Sequence, residues 1–128
     1  MTAFRAAVLE HFRHPKNRGA LANPTTSADG ANPLCGDRIR VELRVEDDVI
    51  VEARFTADAC ALCIASASVL TTHVTGMGPN SAASVDVSWI HDALEGEPPP
   101  GRLNCAVLPL DTLRRALTSG GRGTGAPT

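Results

Sequence analysis

The feature that most constrains the fold is a stretch of strict alternation between apolar and charged residues that begins at Arg38. A period of two is typical of a β-strand with one buried face. Asp47-Asp48 marks a turn, and a second alternating stretch follows it. The apolar positions are Ile39, Val41, Leu43 and Val45 in the first stretch, and Val49, Val51, Ala53 and Phe55 in the second. The pattern therefore predicts an antiparallel β-hairpin.

The register of this hairpin depends on the length of its loop. A three-residue loop, Glu46–Asp48, places Val45 opposite Val49. The same register pairs Ile39 with Phe55 and leaves every apolar residue on one face, whereas a two-residue loop would mix the two faces. We therefore predict the three-residue loop.

Helical patterns occupy much of the remaining chain. The predicted helices run from Thr2, as the cap, to about Arg13; from about Ala59 to Thr75, capped by Asp58; from Asp86, as the cap, to about Glu95; and from near Cys105 or Pro109 onward, with Leu110, Leu113 and Leu117. The helix after Asp58 is predicted to bury one stripe, formed by Cys60, Cys63, Ile64, Ala67, Leu70 and Val74. Between residues 15 and 33 we expect loop, with at most a short edge strand near Thr25–Ala28.

The order of these elements predicts an α+β fold rather than a βαβ unit, because the hairpin precedes a run of helices. A chain of 128 residues suits one domain. We assign this domain to residues 1–118 and expect residues 119–128, rich in Gly and Thr, to form a disordered tail.

Charge and hydropathy disfavour two classes of partner. Twelve basic against fourteen acidic side chains give a net charge of −2, which offers no basic excess for a run of phosphates, so nucleic-acid binding is not expected. No apolar run approaches the roughly 18 residues of a membrane span, and the first residues lack the apolar core of a secretory signal. We therefore expect a cytoplasmic protein with no membrane partner.

Cysteine placement indicates the chemistry. The four cysteines are Cys35, Cys60, Cys63 and Cys105. In a cytosolic chain, cysteines favour metal binding or thiol chemistry over structural disulfides. Cys35 and Asp37 precede the first clear strand, and Cys60 and Cys105 lie near the starts of two helices. Three thiolates and one carboxylate could close a tetrahedral site for a soft metal or an iron–sulfur cluster, although spacing alone does not show that they meet.

Several motifs together resemble the IscU/SufU/NifU-type iron–sulfur cluster assembly scaffold family. The resemblance spans roughly residues 8–118. Its motifs are Leu9-Glu10-His11-Phe12-Arg13-His14-Pro15-Lys16-Asn17-Arg18-Gly19, Asn32-Pro33-Leu34-Cys35-Gly36-Asp37-Arg38-Ile39, Ala53-Arg54-Phe55 before Cys60, Ile64-Ala65-Ser66-Ala67-Ser68-Val69-Leu70-Thr71, and Cys105 before a leucine-rich helix. It implies a compact α+β fold, with a three-stranded antiparallel sheet packed against about four to five helices.

The resemblance also implies a function. Cys35, Asp37, Cys60 and Cys105 would hold iron and a transient [2Fe–2S] cluster, or zinc as the alternative occupant. Sulfur would come as persulfide from a cysteine desulfurase, with Cys105 as the first candidate acceptor and Cys35 as the second. Other implied partners are apo iron–sulfur proteins and an Hsp70-type chaperone. Such a scaffold or sulfur acceptor is not an enzyme in the strict sense.

Subtype features are mixed. The Cys35 motif is similar to the SufU branch, whereas the 45 residues from Cys60 to Cys105 resemble the IscU branch. In the segment Pro99-Pro100-Gly101-Arg102-Leu103, Arg102 takes the place of the lysine of the IscU chaperone-binding loop.

Two other functions stay open on the sequence. A zinc-bound, SufU-like sulfurtransferase would use the same four ligands. A thiol–disulfide oxidoreductase would use Cys60 and Cys63, which form a CxxC motif at a strand-to-helix junction. We favour the interpretation of Cys63 as a buried filler over that of a spare thiol beside the site. His11 is expected to support the site rather than to bind metal, and His73 to lie on the solvated surface.

Overall fold

The computed structural model describes residues 2–34 and 36–120. In chain order the elements are α1 (Thr2–Arg13), β1 (Thr26–Asn32), β2 (Asp37–Glu46), β3 (Val49–Asp58), α2 (Ala61–Val74), α3 (Pro79–Ala83), α4 (Val87–Ala93), a 3₁₀ turn (Pro100–Arg102) and α5 (Leu103–Gly120). The strands form an antiparallel sheet in the order β1-β2-β3. The predicted α+β class, with its three-stranded sheet and helices, is confirmed.

The predicted three-residue loop of the β2–β3 hairpin is wrong. The loop has two residues, Asp47 and Asp48, and Glu46 lies opposite Val49, so Val45 does not pair with Val49. Both aspartates have left-handed backbone, with φ of 52° and 61°. Positive φ at both central residues is typical of a type I′ turn, whose twist matches that of the flanking strands. Aspartate tolerates this conformation because its short polar side chain can hydrogen-bond locally.

A β-bulge preserves the buried face of the hairpin despite the shorter loop. Val45 pairs with Ile50, but Arg44 pairs with Glu52, which leaves Val51 as the extra residue. Ile50 is fully buried, whereas Val51 is 38% exposed. The bulge therefore reverses which alternate positions of β3 point into the core.

Beyond the bulge the pairing also differs from the predicted register. Ile39 pairs with Ala57 rather than with Phe55, and Phe55 pairs with Val41. The change could not be predicted from the alternation, because residues 49–51 are all apolar and do not show which of them points inward.

Helix α2 begins later than predicted and has a different cap. Its N-cap is Cys60, while Asp58, the predicted cap, is the last residue of β3. The prediction of a single buried stripe is also wrong, because α2 packs against α1, β3, α4 and α5. Its buried residues are Leu62, Cys63, Ile64, Ala65, Ser66, Ala67, Ser68, Val69, Leu70, Thr71 and Val74.

The C-terminal helices confirm part of the prediction. Asp86 caps α4, with its side chain accepting a hydrogen bond from the Ser88 N–H, whereas α3 was not predicted. Helix α5 begins at Leu103, and Pro109 lies inside it. Because proline has no N–H, it donates no helical hydrogen bond to the Cys105 carbonyl four residues earlier.

Of the predicted tail, residues 119–120 belong to α5, and residues 121–128 lie outside the described residues, so the tail remains a prediction.

Helix α5 lies across β1 and β2 at close range. One close approach is at Gly30 of β1, where a Cβ atom would overlap Thr112 Oγ1 and lie 3.2 Å from Leu108 Cδ1. Thr112 is fully buried. Because Gly30 has no side chain, α5 can pack closely on β1, and this contact positions the helix relative to the sheet.

Within the described residues, no helix is both long and apolar enough to cross a membrane.

We expect Gly30→Ala to lower the free energy of unfolding by about 1–3 kcal/mol, because the added methyl group overpacks the contact with α5. Urea denaturation measures the change. Gly101→Ala is the control, since a Cβ there meets no atom within 4 Å. Thr112→Ala should recover part of the loss in the double variant. Equal stability of Gly30→Ala and the wild type would contradict this packing.

We expect Asp48→Gly to raise the free energy of unfolding by about 1 kcal/mol, because glycine adopts positive φ without the steric cost of a Cβ. Asp92→Gly in α4 is the control and should lower stability by about 1 kcal/mol, as glycine does inside a helix. Destabilisation by Asp48→Gly would argue against the two-residue loop.

Candidate metal centre

Three segments far apart in sequence meet at one corner of the fold. Asp37 is the first residue of β2, Cys60 is the N-cap of α2, and Cys105 is the third residue of α5. One carboxylate oxygen and the two Sγ atoms lie within 4.8 Å of one another. Three of the four predicted ligands are thus brought together. Cys35 lies outside the described residues, so its place in the set stays a prediction.

Asp37 connects the sheet to the start of α2. Its Oδ1 accepts a hydrogen bond from the Cys60 backbone N–H at 3.0 Å, and its Oδ2 accepts one from the Cys60 thiol at 3.6 Å. Asp37 is 3% exposed, so its carboxylate depends on such partners to offset the loss of water. The positive end of the helix dipole also favours a carboxylate at this place. Asp37 therefore both orients Cys60 and offers a donor atom.

The described cysteines differ in access. Cys60 is half-buried, Cys105 is 2% exposed and Cys63 is 0% exposed, and all three are thiols rather than disulfides. The burial of Cys63 within α2 agrees with its interpretation as a buried filler, which stays a prediction. Cys60 is therefore the described thiol with the most direct access from solvent.

Arg102 belongs to this corner, although the sequence suggested no role for it in the metal site. The hydrogen bond from its guanidinium to Cys105, together with the charge of Cys60, raises the pKa of Arg102. The exposed side chain lies in the 3₁₀ turn before α5, where its N–H donates to the Pro99 carbonyl at 2.8 Å. Arg102 precedes Cys105 by three residues, which is about one helical turn. This spacing is the sequence signal that could have indicated the contact.

His11 supports the loop that follows α1. Its Nδ1 lies 2.9 Å from Ser68 Oγ of α2, and the same Oγ accepts a hydrogen bond from the Lys16 N–H at 2.8 Å. Burial, and then the charge of Lys16, lowers the pKa of His11. His11 is not in the cluster of donors described above. It therefore joins α1 and its loop to α2.

His73 is half-buried and has a ring partner, whereas the sequence predicted a solvated surface residue. Its ring stacks on that of Trp89, with the centroids 3.7 Å apart and an interplanar angle of 11°. The pair links α2 to α4. No sequence pattern indicated it, because the two residues belong to different helices.

The donor set suits a soft or borderline metal. In a tetrahedral zinc site, with Zn–S near 2.3 Å, two sulfur ligands lie roughly 3.8 Å apart. The distance of 3.6 Å between Cys60 Sγ and Asp37 Oδ2 is close to this spacing. Because all three donor atoms lie within 4.8 Å of one another, small side-chain movements are enough to bring them to ligand spacing around one metal ion. Thiolates select zinc or iron–sulfur clusters, whereas the carboxylate is a harder ligand. The described residues therefore fit zinc or an iron–sulfur guest.

Comparison with known sequences identifies relatives along nearly the whole chain. The chain is 33% identical to the iron–sulfur cluster assembly scaffold protein IscU of Haemophilus influenzae, covering 90% of this chain and 93% of that one. It is 30% identical to the zinc-dependent sulfurtransferase SufU of Bacillus subtilis, covering 91% and 90%. The bifunctional protein NifU/MnmA of Rubrobacter xylanophilus is 39% identical over 86% of this chain, which spans only 23% of that longer protein.

Solved structures and a family profile agree with these relatives. The N-terminal part of a NifU-like protein from Brucella abortus has a TM-score of 0.73 and 24% identity, covering 91% of this chain and 92% of that one, which shows the shared fold. The profile of the NifU-like N terminal domain matches residues 3–120. This chain therefore belongs to the NifU-like N-terminal domain family, which includes the IscU and SufU proteins.

Proposed function

We propose that this chain is an iron–sulfur cluster assembly scaffold. It takes sulfur from a cysteine desulfurase, binds iron, holds a transient [2Fe–2S] cluster and passes the cluster to apo-proteins. The observation that carries the proposal is the convergence of Asp37, Cys60 and Cys105 at one corner of the fold. Membership of a family whose relatives include IscU scaffolds supports it.

Cys35, Asp37, Cys60 and Cys105 form the proposed ligand set. Three thiolates bind cluster iron tightly, and the aspartate is the exchangeable member because a hard carboxylate binds the iron of a sulfide cluster less strongly than a thiolate does. A site that stores a cluster permanently would favour a fourth thiolate. A site that must release its guest benefits from one weaker ligand, and Asp37 has this role in our proposal.

Cys105 and Cys35 are the persulfide acceptors proposed on sequence grounds. Cys105, at 2% exposure, would need the adjacent turn that carries Arg102 to move before a donor could meet it. An Hsp70-type chaperone is a further proposed partner, through the Pro99–Leu103 segment.

The second candidate function is that of a zinc-bound sulfurtransferase. The SufU relative, covered over 90% of its length, carries this activity in its name. The same Asp–Cys–Cys donors fit zinc, so the two functions share one site. In this version an incoming persulfide donor displaces one cysteine ligand, which is then available to react.

Anaerobic reconstitution with iron, sulfide and a reductant should produce the visible absorption of an iron–sulfur cluster. Spectroscopy with metal analysis measures it, and transfer to an apo-ferredoxin tests release. Stoichiometric zinc that iron and sulfide fail to replace, together with activation of a cysteine desulfurase, would instead support the sulfurtransferase. Absence of both metals from the reconstituted chain would contradict the shared site.

We expect Asp37→Cys to lengthen the lifetime of the reconstituted cluster and to slow its transfer by about ten-fold or more, because a thiolate replaces the weaker ligand. The decay of visible absorption and the activity of the apo acceptor measure the two rates. Unchanged rates would mean that Asp37 does not control release.

Two matched variants separate the ligand role of Asp37 from its contact with α2. Asp37→Asn keeps an acceptor for the Cys60 N–H but removes the anionic donor, whereas Asp37→Ala removes both. Asp37→Asn should therefore keep most of the stability and change the cluster lifetime. Asp37→Ala should also lower the free energy of unfolding, by about 1–3 kcal/mol, because a buried hydrogen bond is lost.

A further inference from the structure

An open cavity of about 600 Å³ lies between α1 and the 3₁₀ turn, beside the metal centre. Its apolar lining comes from Phe4, Val8 and Leu9 of α1, Leu62 of α2, and Pro99. Cys60 lines it as well, whereas Cys105 does not. The cavity therefore connects solvent with one thiol of the proposed ligand set.

The charged groups that line this cavity are both cationic. Arg5 extends from α1 and Arg102 from the 3₁₀ turn, and no acidic side chain is among the described residues that line it. Interactions with Cys105 and Cys60 raise the pKa of Arg102, which keeps its guanidinium cationic beside both thiols. The low-polarity walls strengthen the field of the two guanidinium groups, since charges near apolar surface are less screened than in bulk water.

This positive field reduces the repulsion between the anionic donor set and an anionic sulfur substrate. Asp37, Cys60 and Cys105 are anionic when they bind metal, and a persulfide, being more acidic than a thiol, is an anion at neutral pH. A second anion approaching such a site is repelled. The two cations that line the cavity with Cys60 offset that repulsion.

We propose that this cavity is the entrance for a terminal, negatively charged sulfane sulfur, which Arg5 and Arg102 attract and Cys60 receives. The inference rests on the proposed function and adds the route and the charge of its sulfur substrate. It also places Cys60 ahead of Cys105 and Cys35, the acceptors proposed on sequence grounds, because Cys60 lines the cavity. The sulfur can be free, as in an inorganic polysulfide, or carried as a cysteine persulfide by a donor protein. The shared chemistry is the anionic sulfane sulfur.

The transfer requires no oxidant or reductant. The Cys60 thiolate attacks the outer sulfur of the donor R–S–S⁻, the donor S–S bond breaks, and its electron pair leaves with R–S⁻. A new S–S bond forms on Cys60, so one thiolate and one persulfide give one persulfide and one thiolate. The second negative charge near Cys60 during this step is the charge that the two arginines stabilise.

The charge of the entrance can be measured with two alkylating agents of similar size. Iodoacetate is an anion and iodoacetamide is neutral, and both attack the same thiolate. The ratio of their rates at Cys60 therefore cancels changes in thiolate fraction and in access. The reduced, chelator-treated full chain is labelled in 0.15 M salt, and peptide mass spectrometry quantifies Cys60.

We expect Arg5→Gln and Arg102→Gln each to lower the iodoacetate-to-iodoacetamide ratio by about three-fold, because one nearby cation is lost. The effect should shrink in 1 M salt, where charges are screened within about 3 Å. Arg13→Gln is the control. It removes an exposed arginine from the same helix, eight residues or about 12 Å along α1 from Arg5, which exceeds the screening length of about 8 Å in 0.15 M salt.

Sulfur delivery is then measured directly with two donors, sodium tetrasulfide as the free source and a cysteine desulfurase supplied with cysteine as the protein-bound source. Slower Cys60 persulfidation in both arginine variants with either donor supports the entrance and identifies the source. An unchanged alkylation ratio, an equal effect of Arg13→Gln, or unchanged persulfidation with both donors would overturn it. Cluster formation is measured in parallel to separate the two proposals. A chain that binds no metal would contradict the proposed function. A chain that forms the cluster but shows unchanged alkylation ratios in the arginine variants would contradict only the proposed entrance.

Discussion

The contact between the Asp37 carboxylate and the N-terminal end of α2 is the interaction on which the metal centre depends. It joins the first residue of β2 to the N-cap of α2, and it does so with the same carboxylate that faces the two thiols. A buried carboxylate without such partners would be costly. The helix terminus and the donor set therefore stabilise one another.

The third side of the site depends on a different contact. Helix α5, which carries Cys105, is placed by its close approach to β1 at Gly30. Side chains reinforce this approach at two further points, where Thr26 Oγ1 donates to the Ala116 carbonyl and Arg115 donates to the Asp29 carbonyl. The position of the second thiol thus follows from backbone packing at the sheet edge, more than 70 residues earlier in the chain.

Alternation and helix caps were enough to predict the β2–β3 hairpin, the α+β class and the cap of α4, whereas Thr2, the predicted cap of α1, is its first helical residue. The hairpin register was not predictable, because three consecutive apolar residues conceal the bulge at Val51. The start of α2 was missed because the N–H of its N-cap residue, Cys60, donates to Asp37, which is remote in sequence. Arg102 was missed for the same kind of reason. Its role depends on Cys60 as well as on Cys105, and only the fold brings both beside it.

The enclosure of α2 by α1, β3, α4 and α5 has a kinetic consequence for whatever the site holds. Cys60 is the N-cap of α2, which four other elements cover, whereas Arg102 lies in a short exposed turn beside the loop residues 97–99. Local fluctuations in proteins cost least where few apolar contacts are broken. The time that a guest stays bound at the site would then depend on how often this turn opens, which hydrogen-exchange protection of its backbone reports. It would depend little on the melting temperature of the domain, so substitutions in the turn could change this time without altering the core.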